Sequence, residues 1–354
     1  MNNILIFGGT GAMGEHLVNI LSENKDNLVY VTTRKKRESK SENVFYVEGD
    51  AKDDIFLSSI LNRKKWDCIV DFMVYNTDEF KNRADKLLES AGQYVFLSSS
   101  RVYADSNTPI TENSPRLLDV CTDKEYLSTD EYALTKARQE NILFENEHQN
   151  WTIIRPYITY SEQRLQLGVL EKEVWLYAAL NCGVLAFSQD IARHNTTLTY
   201  GLDVARSMAT LILNEKAYTR AFHITNSKSI YWNDVYDIYS KVLKRHNVSF
   251  EEAMKEKTHR LKGDGKYQVV YDRYFDRVFD NTNISQFIDT STFTSPETGL
   301  ENCLEEFLKQ PKFRSVGVDS IMKFLQGTSG KLPLKNVCGF KNLMKFFLIK
   351  IHLR

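Results

Sequence analysis

Ile4-Leu5-Ile6-Phe7-Gly8-Gly9-Thr10-Gly11-Ala12-Met13-Gly14 stands almost at the start of a chain of 354 residues. The apolar run Ile4 to Phe7 reads as a buried strand. His16, Leu17, Val18, Ile20 and Leu21 read as a helix that begins where the glycines end. A strand, a glycine turn and a helix N-terminus gather backbone N–H groups and a positive helix end around one spot, which suits a pyrophosphate. Gly9, Gly11 and Gly14 fit G-x-G-x-x-G, and Gly8, Gly11 and Gly14 fit G-x-x-G-x-x-G. Such turns are common, so the motif takes its meaning from its place between a strand and a helix.

Outward from this unit, strands alternate with helices. Strands are expected at Leu28 to Val31, Val44 to Val47, Cys68 to Val74, Tyr94 to Leu97 and Trp151 to Ile154. Helices are expected at Asp53 to Asn62, Asp78 to Ser90 and Asp130 to Glu147. The near-continuous apolar character of Cys68 to Val74 is that of a parallel strand covered on both faces. The rhythm implies an α/β protein, a Rossmann-type doubly wound parallel sheet. It breaks at Arg155-Pro156. Beyond lie helical stretches at Leu165 to Leu180, Asp203 to Leu213 and Trp232 to Lys244, and strand-like pieces such as Ala221 to Thr225. The expected organisation is a dinucleotide-binding domain over 1–155 and a smaller α/β substrate lobe over 156–319. About 196–225 return to the first domain, and 320–354 form a basic C-terminal segment.

Composition narrows the classes. The chain has 46 basic and 46 acidic residues, so no global charge points to nucleic acid. Five scattered cysteines (Cys68, Cys121, Cys182, Cys303, Cys338) contain no C-x-x-C pair, which argues for a reducing compartment and against a metal site. No leader and no membrane-length apolar run is read, and a cytoplasmic protein is expected. From Ser320 onward there are seven Lys or Arg and no acid. Phe340 to Arg354 reads either as a helix packed on the body or a partner subunit, or as a basic amphipathic segment on an anionic membrane.

The end of the second strand reads Thr32-Thr33-Arg34-Lys35-Lys36-Arg37, with no carboxylate to grip a ribose 2′-hydroxyl. Hydroxyls and guanidinium groups suit a 2′-phosphate, so NADP(H) is preferred over NAD(H). Asp50 is a candidate partner for the adenine amino group.

Tyr132 and Lys136 are spaced i, i+4 in a helix and so share one face. A nearby ammonium favours the phenolate that a tyrosine base requires. Ser98-Ser99-Ser100 closes the fifth strand at the carboxyl edge of the sheet, where ligands lie. A hydroxyl there can orient an alcohol or carbonyl oxygen of a substrate.

These features together resemble the extended short-chain dehydrogenase/reductase family, of the nucleotide-sugar epimerase/dehydratase type. The residues that carry the resemblance are Gly8 to Gly14, Gly49-Asp50-Ala51, Ser98 to Tyr103, Tyr132 to Lys136, Arg155-Pro156 and Thr199 to Ala205. The resemblance runs to about Leu243. It implies Tyr132 as acid/base, Lys136 as the group that lowers its pKa and holds the nicotinamide ribose, and Ser99 as the catalytic hydroxyl. It also places Gly8, Gly9, Thr10, Gly11, Ala12, Met13, Gly14, Arg34, Asp50, Ala51, Phe72, Met73 and Val74 against the cofactor. No metal is implied.

Departures from the family pattern narrow the reaction. Members that dehydrate sugars follow the Ser/Thr with Asp-Glu, where this chain has Ser100 and Arg101, so 4,6-dehydration is not expected. The Asn often found three residues after the Arg of Arg-Pro is Ile158 here, and the following Gly-Pro is Ser161-Glu162. Ser100, Arg164, Arg193 and His194 are candidates for substrate contacts. The resemblance implies an NAD(P)-dependent oxidoreductase on a sugar, nucleotide-linked: an epimerase working through a keto intermediate, or an NADPH-dependent keto-sugar reductase. A cofactor-binding scaffold without turnover is the reading from another class. The resemblance also implies that a homodimer, if formed, pairs through two helices, for which those at Asp78 and Asp130 are the candidates; the sequence leaves the oligomeric state open.

Overall fold

The computed structural model describes residues 1–39, 41–258, 261, 265–337 and 343–348. They divide into two compact units. The first comprises Met1–Thr159, Thr197–Lys228 and Arg277–Thr294; the second comprises Tyr160–Thr196, Ser229–Asp276 and Ser295–Arg354. The span 156–319, assigned to the substrate lobe from sequence, therefore also sends Arg277–Thr294 to the first unit. Buried Arg277 anchors that segment, donating to the carbonyls of Tyr103 and Ala104 at 3.1 and 3.0 Å.

The first unit is built on β1 (Asn2–Phe7), β2 (Asn27–Thr33), β3 (Val44–Glu48), β4 (Trp66–Asp71), β5 (Ala91–Leu97), β6 (Trp151–Pro156) and β7 (Arg220–Ile224). Their order across the sheet is β7-β6-β5-β4-β1-β2-β3, and every pairing is parallel. Ile4 lies opposite Val29 on one side and Cys68 on the other. The order reverses between β1 and β4, which opens a crevice at the carboxyl ends of these two strands. β4 is shorter than expected. Its Asp71 carboxylate accepts the Met73 N–H at 2.9 Å and turns Phe72-Met73-Val74 out of the sheet.

Two-residue alternation sends the β1 side chains to opposite cores. Ile4 and Ile6 pack with Val29, Val31, Cys68 and Val70 under helix α1 (Gly14–Glu23), whose Leu17, Val18 and Leu21 face inward. Leu5 and Phe7 pack with Trp66, Ile69, Tyr94 and Phe96 beneath α2 (Asp54–Leu61) and α4 (Ala84–Glu89). Full burial of each such aliphatic side chain contributes roughly 1.5–3 kcal/mol. The helix read as continuous from Asp78 to Ser90 is broken into α3 (Thr77–Lys81) and α4. Arg83 is the cause. Its guanidinium turns inward over the Tyr75 ring, 4.7 Å away, and donates to the Glu79 carbonyl and the Asp54 carboxylate. Further along the same unit lie α5 (Tyr132–Phe144) and α6 (Gly201–Leu211).

In the second unit, strand Val184–Ser188 pairs in parallel with Glu251–Lys255, and helices Trp232–Arg245 and Pro296–Lys309 pack together. The helix expected from Leu165 begins only at Trp175. Ahead of it Leu167 and Leu170 form an antiparallel turn through Gly168, whose φ of +60° ends any helical path. Among the described residues no helix is long and apolar enough to cross a membrane. Residues 343–348 are helical, with Phe346 buried and Lys345 paired to Asp319 at 3.1 Å. The amphipathic reading of Phe340 to Arg354 otherwise falls on 340–342 and 349–354, outside the described residues.

A Cβ on Gly14 would lie 2.7 Å from the backbone of Gly9, because α1 starts directly against the turn. Gly14→Ala is therefore expected to destabilise the protein by roughly 1–3 kcal/mol, read as a lower denaturation midpoint with unchanged m-value.

Candidate active site

The glycine turn follows from the strand it ends. Gly8 takes φ +70°, a conformation that L side chains rarely adopt, and redirects the chain after Phe7. Gly9 lies so close to Ile6 and Val31 that a Cβ would meet them at 2.8 and 3.0 Å. A Cβ on Gly11, by contrast, meets nothing within 4 Å. The turn thus packs tightly on its protein side and is open on the other. α1 begins at Gly14 with no side chain capping its N-terminus, so its first amides keep their capacity for an anion. Thr10, Ala12 and Met13 line the same turn. These features fit a dinucleotide pyrophosphate.

Around the turn the other expected cofactor residues divide. Phe72 is half-buried in the core beneath α1, and the Met73 sulfur lies 3.4 Å from where a Gly8 Cβ would stand. Val74 is exposed. Asp50 is exposed and accepts the Lys52 N–H at 2.9 Å, whereas Ala51 is buried and its carbonyl accepts from Arg83. Arg34 is exposed at the end of β2; further along the same loop Arg37 pairs with Glu15 on α1 at 3.1 Å.

A second group gathers where β5 meets α5. Tyr132 is the first residue of α5 and is 36% exposed; Lys136, one turn on, is 2% exposed. The helix carries its residues from solvent into the interior within four positions. The Lys136 ammonium donates to the Leu97 carbonyl at 2.7 Å and lies over the Phe96 ring at 4.5 Å. Burial pulls its pKa down to about 8, and the carboxylates of Asp71 and Glu140 partly offset that. Burial likewise raises the Asp71 carboxyl, which accepts from Tyr94 at 2.9 Å and Tyr75 at 3.1 Å.

The three serines after Leu97 have three different fates. Ser98 donates to Glu140 of α5 at 2.6 Å. Ser100, fully buried, donates to the Arg155 carbonyl at 2.7 Å and so braces the fold. The Ser99 hydroxyl accepts the Arg101 N–H at 3.2 Å, a bond that leaves its proton to donate. Arg101 then reaches α5. Its guanidinium lies over the Tyr132 ring, 5.4 Å from the centroid, and pairs with Glu131 at 2.6 Å. One residue thereby spans Ser99 and Tyr132.

Residues 4–172 match the model of the NAD dependent epimerase/dehydratase family. Solved structures share the fold: the dTDP-glucose 4,6-dehydratase of Bacillus anthracis in complex with NAD has a TM-score of 0.65 at 14% identity, covering 88% of this chain and 97% of that one. The UDP-glucuronic acid 4-epimerase of Bacillus cereus in complex with NAD has a TM-score of 0.62 at 16% identity, covering 88% and 100%. The chloroplast stem-loop binding protein of 41 kDa b of Arabidopsis thaliana is 25% identical over 241 residues, which are 64% of this chain and 59% of that protein. The match thus spans less than two thirds of the length of that curated relative.

Several residues around this site lie beyond the motifs read from sequence. Glu140, one further turn along α5 from Lys136, is fully buried and binds Arg155 through two bonds of 2.7 and 2.8 Å. Its second oxygen also meets Arg116 at 3.2 Å, and Arg155 donates to the Tyr103 hydroxyl at 2.9 Å. The continuing i, i+4 spacing Tyr132, Lys136, Glu140 is the signal that could have found it. Asp71 is the lone charge ending the apolar run Cys68-Ile69-Val70. Arg164 and Arg193 lie in the second unit, Arg164 paired with Glu171 at 3.4 Å and Arg193 exposed at the end of helix Gln189–Ala192. His194 there faces Asp276 at 3.6 Å.

The depressed pKa of Lys136 makes stability depend on pH. The unfolded chain keeps this proton to about pH 10.4, whereas the folded protein gives it up near 8. Below 8 the buried ammonium penalises folding in full, and between these values the penalty is relieved as pH rises. Wild type should therefore gain about 2 kcal/mol on Lys136→Met between pH 7.5 and 9.5, measured as the difference in unfolding free energy of the two proteins without cofactor.

Proposed function

We propose that this chain is an NAD(P)-dependent sugar oxidoreductase, most simply an epimerase acting on a nucleotide-activated sugar through a transient keto intermediate. The observation that carries the reading is the gathering of Ser99, Tyr132 and Lys136 at the carboxyl edge of the sheet, spanned by Arg101 and tied to the Leu97 carbonyl. Gly8 to Gly14 would hold the pyrophosphate, and Lys136 the nicotinamide ribose. A bound nicotinamide dinucleotide would supply a hydride acceptor at a carbinol carbon and return that hydride to the opposite face. Tyr132 takes the proton of the sugar hydroxyl as the carbinol is oxidised and gives it back on reduction. The Ser99 proton is directed to the same substrate oxygen and stabilises its developing charge. Lys136 favours the phenolate by its charge.

Dehydration is disfavoured because the two positions that supply acid and base in dehydratases hold a buried strut, Ser100, and a cation, Arg101. NADP(H) is the favoured form in this reading because β2 ends without an acid and is followed by the exposed Arg34, whose charge suits a 2′-phosphate. A nucleotide-linked sugar is supported by the neighbour described as a UDP-glucuronic acid 4-epimerase bound to that nucleotide sugar. An NADPH-dependent keto-sugar reductase would use the same residues. It is told apart by stoichiometry, since an epimerase turns over with substoichiometric cofactor. A homodimer through α3–α4 and α5 is proposed on the same resemblance.

A second reading, a cofactor-binding scaffold without turnover, takes support from the plant relative named as a stem-loop binding protein. The test is Tyr132→Phe, assayed for turnover in a screen of nucleotide sugars and for NADP(H) binding by fluorescence. A fall in kcat of at least 100-fold with cofactor affinity within about threefold supports the enzyme. Stem-loop RNA binding by the wild type, with no nucleotide sugar turned over, supports the scaffold.

A further inference from the structure

Arg101 is unexpected in this position, and the structure gives it three engagements at once. Its backbone N–H reaches the Ser99 hydroxyl at 3.2 Å, its guanidinium covers the Tyr132 ring at 5.4 Å, and its NH2 group pairs with Glu131 at 2.6 Å. Arg101 and Glu131 are 13% and 12% exposed, so water screens the pair poorly. Glu131 is in turn fixed as the N-cap of α5. Its second oxygen accepts the Ala133 N–H at 2.8 Å and the Tyr126 hydroxyl at 3.2 Å. The Tyr132 ring at the first position of α5 therefore lies against a cation whose paired carboxylate belongs to the preceding residue.

We propose that the Arg101–Glu131 pair is a positioning device that holds the Tyr132 ring beside Ser99 and sets, by its balance of charge, how readily that phenol ionises. This deepens the function proposed above and rests on Tyr132 being the acid/base of that reading. Among the described residues, charged and titratable groups near Tyr132 come from α5, the segment ahead of it and the facing turn. Arg101 comes from the Ser100–Val102 turn and Lys136 from the next turn of α5. Glu131 and Asp130 lie just ahead of α5, with Asp130 already engaged by Thr77 and Arg138. Tyr126 comes from helix Lys124–Leu127, its phenol pushed up by burial and by Glu131, so it stays a donor. Of these, the two partners of the ion pair act on Tyr132 with opposite sign. Removal of the cation leaves the carboxylate to oppose a phenolate; neutralisation of the carboxylate leaves the cation to favour one. A pair that served packing alone would give no such antisymmetry.

The experiment reads ionisation directly and needs no substrate. Tyrosinate absorbance is titrated in wild type, Arg101→Gln, Arg101→Lys and Glu131→Gln. Each titration is subtracted from that of its Tyr132→Phe counterpart, which isolates one phenol among the 18 tyrosines. Glu131→Gln keeps an oxygen for the Ala133 N–H and so preserves the helix cap. The expected result is an apparent pKa of Tyr132 about one unit higher in Arg101→Gln, lower by about half a unit or more in Glu131→Gln, and near wild type in Arg101→Lys. Equal pKa values in Arg101→Gln and Glu131→Gln, or shifts of the same sign, overturn the proposal. If Arg101→Gln does not fold, a Tyr132 pKa in Glu131→Gln that is not below that of wild type and Arg101→Lys overturns the proposal. Antisymmetric shifts in a protein without sugar turnover would uphold this device while the proposed reaction fell. Turnover dependent on Tyr132 without the shifts would do the reverse.

Discussion

An ammonium buried against a strand-end carbonyl is the constraint around which this site is arranged. Lys136 must find its hydrogen bond where the sheet runs out, at Leu97, because a buried cation without partners is far too costly to keep. That bond fixes the rotation of α5 about its axis. With the rotation fixed, Tyr132 one turn earlier is brought out at the crevice edge, and Glu140 one turn later is driven into the core. Glu140 is the counterweight: Arg155 of β6 and Arg116 compensate its charge, and the helix is pinned to the sheet from below as well as at its mouth. Breaking such a buried pair by removing one partner typically costs about 3–5 kcal/mol.

The glycine turn obeys a different constraint, that of space. Gly9 and Gly14 are small because the backbone of the turn and the start of α1 are in contact, while Gly11 borders open space. One motif therefore combines packing positions with a ligand-facing one. The consequence for chemistry is that the uncapped amides of α1 and the opening beside Gly11 occur together at the point where strand order reverses.

How legible this was in the chain depends on the range of the forces involved. The parallel sheet was readable because each strand is a local apolar run and each helix a local period; β1, α1 and β6 needed nothing beyond their own residues. The breaks were not readable in the same way. Arg83 splits a helix by turning inward to the Tyr75 ring and to Asp54, the latter 29 residues away in sequence. Gly168 ended an expected helix, and its φ of +60° depends on a turn that only the fold defines. At the site, Tyr132 and Lys136 followed from i, i+4 spacing. Adjacent serines look alike in the sequence, and only their partners in the fold, Glu140 for Ser98 and the Arg155 carbonyl for Ser100, distinguish them. Arg101 was visible as a departure from the dehydratase pattern, but its bridge to Glu131 joins positions 30 apart.

The row of serines after β5 also limits how this protein can vary. Ser98 and Ser100 are each committed to one internal acceptor, on α5 and on β6, so the hydroxyl between them is indexed from both sides. The loop has no slack. Lengthening it by a single residue would present a different side chain at the crevice, or pull one of the two flanking bonds apart. Diversification of such a protein toward new substrates therefore has to come from elsewhere in the chain, with these few positions serving as a fixed origin of measurement.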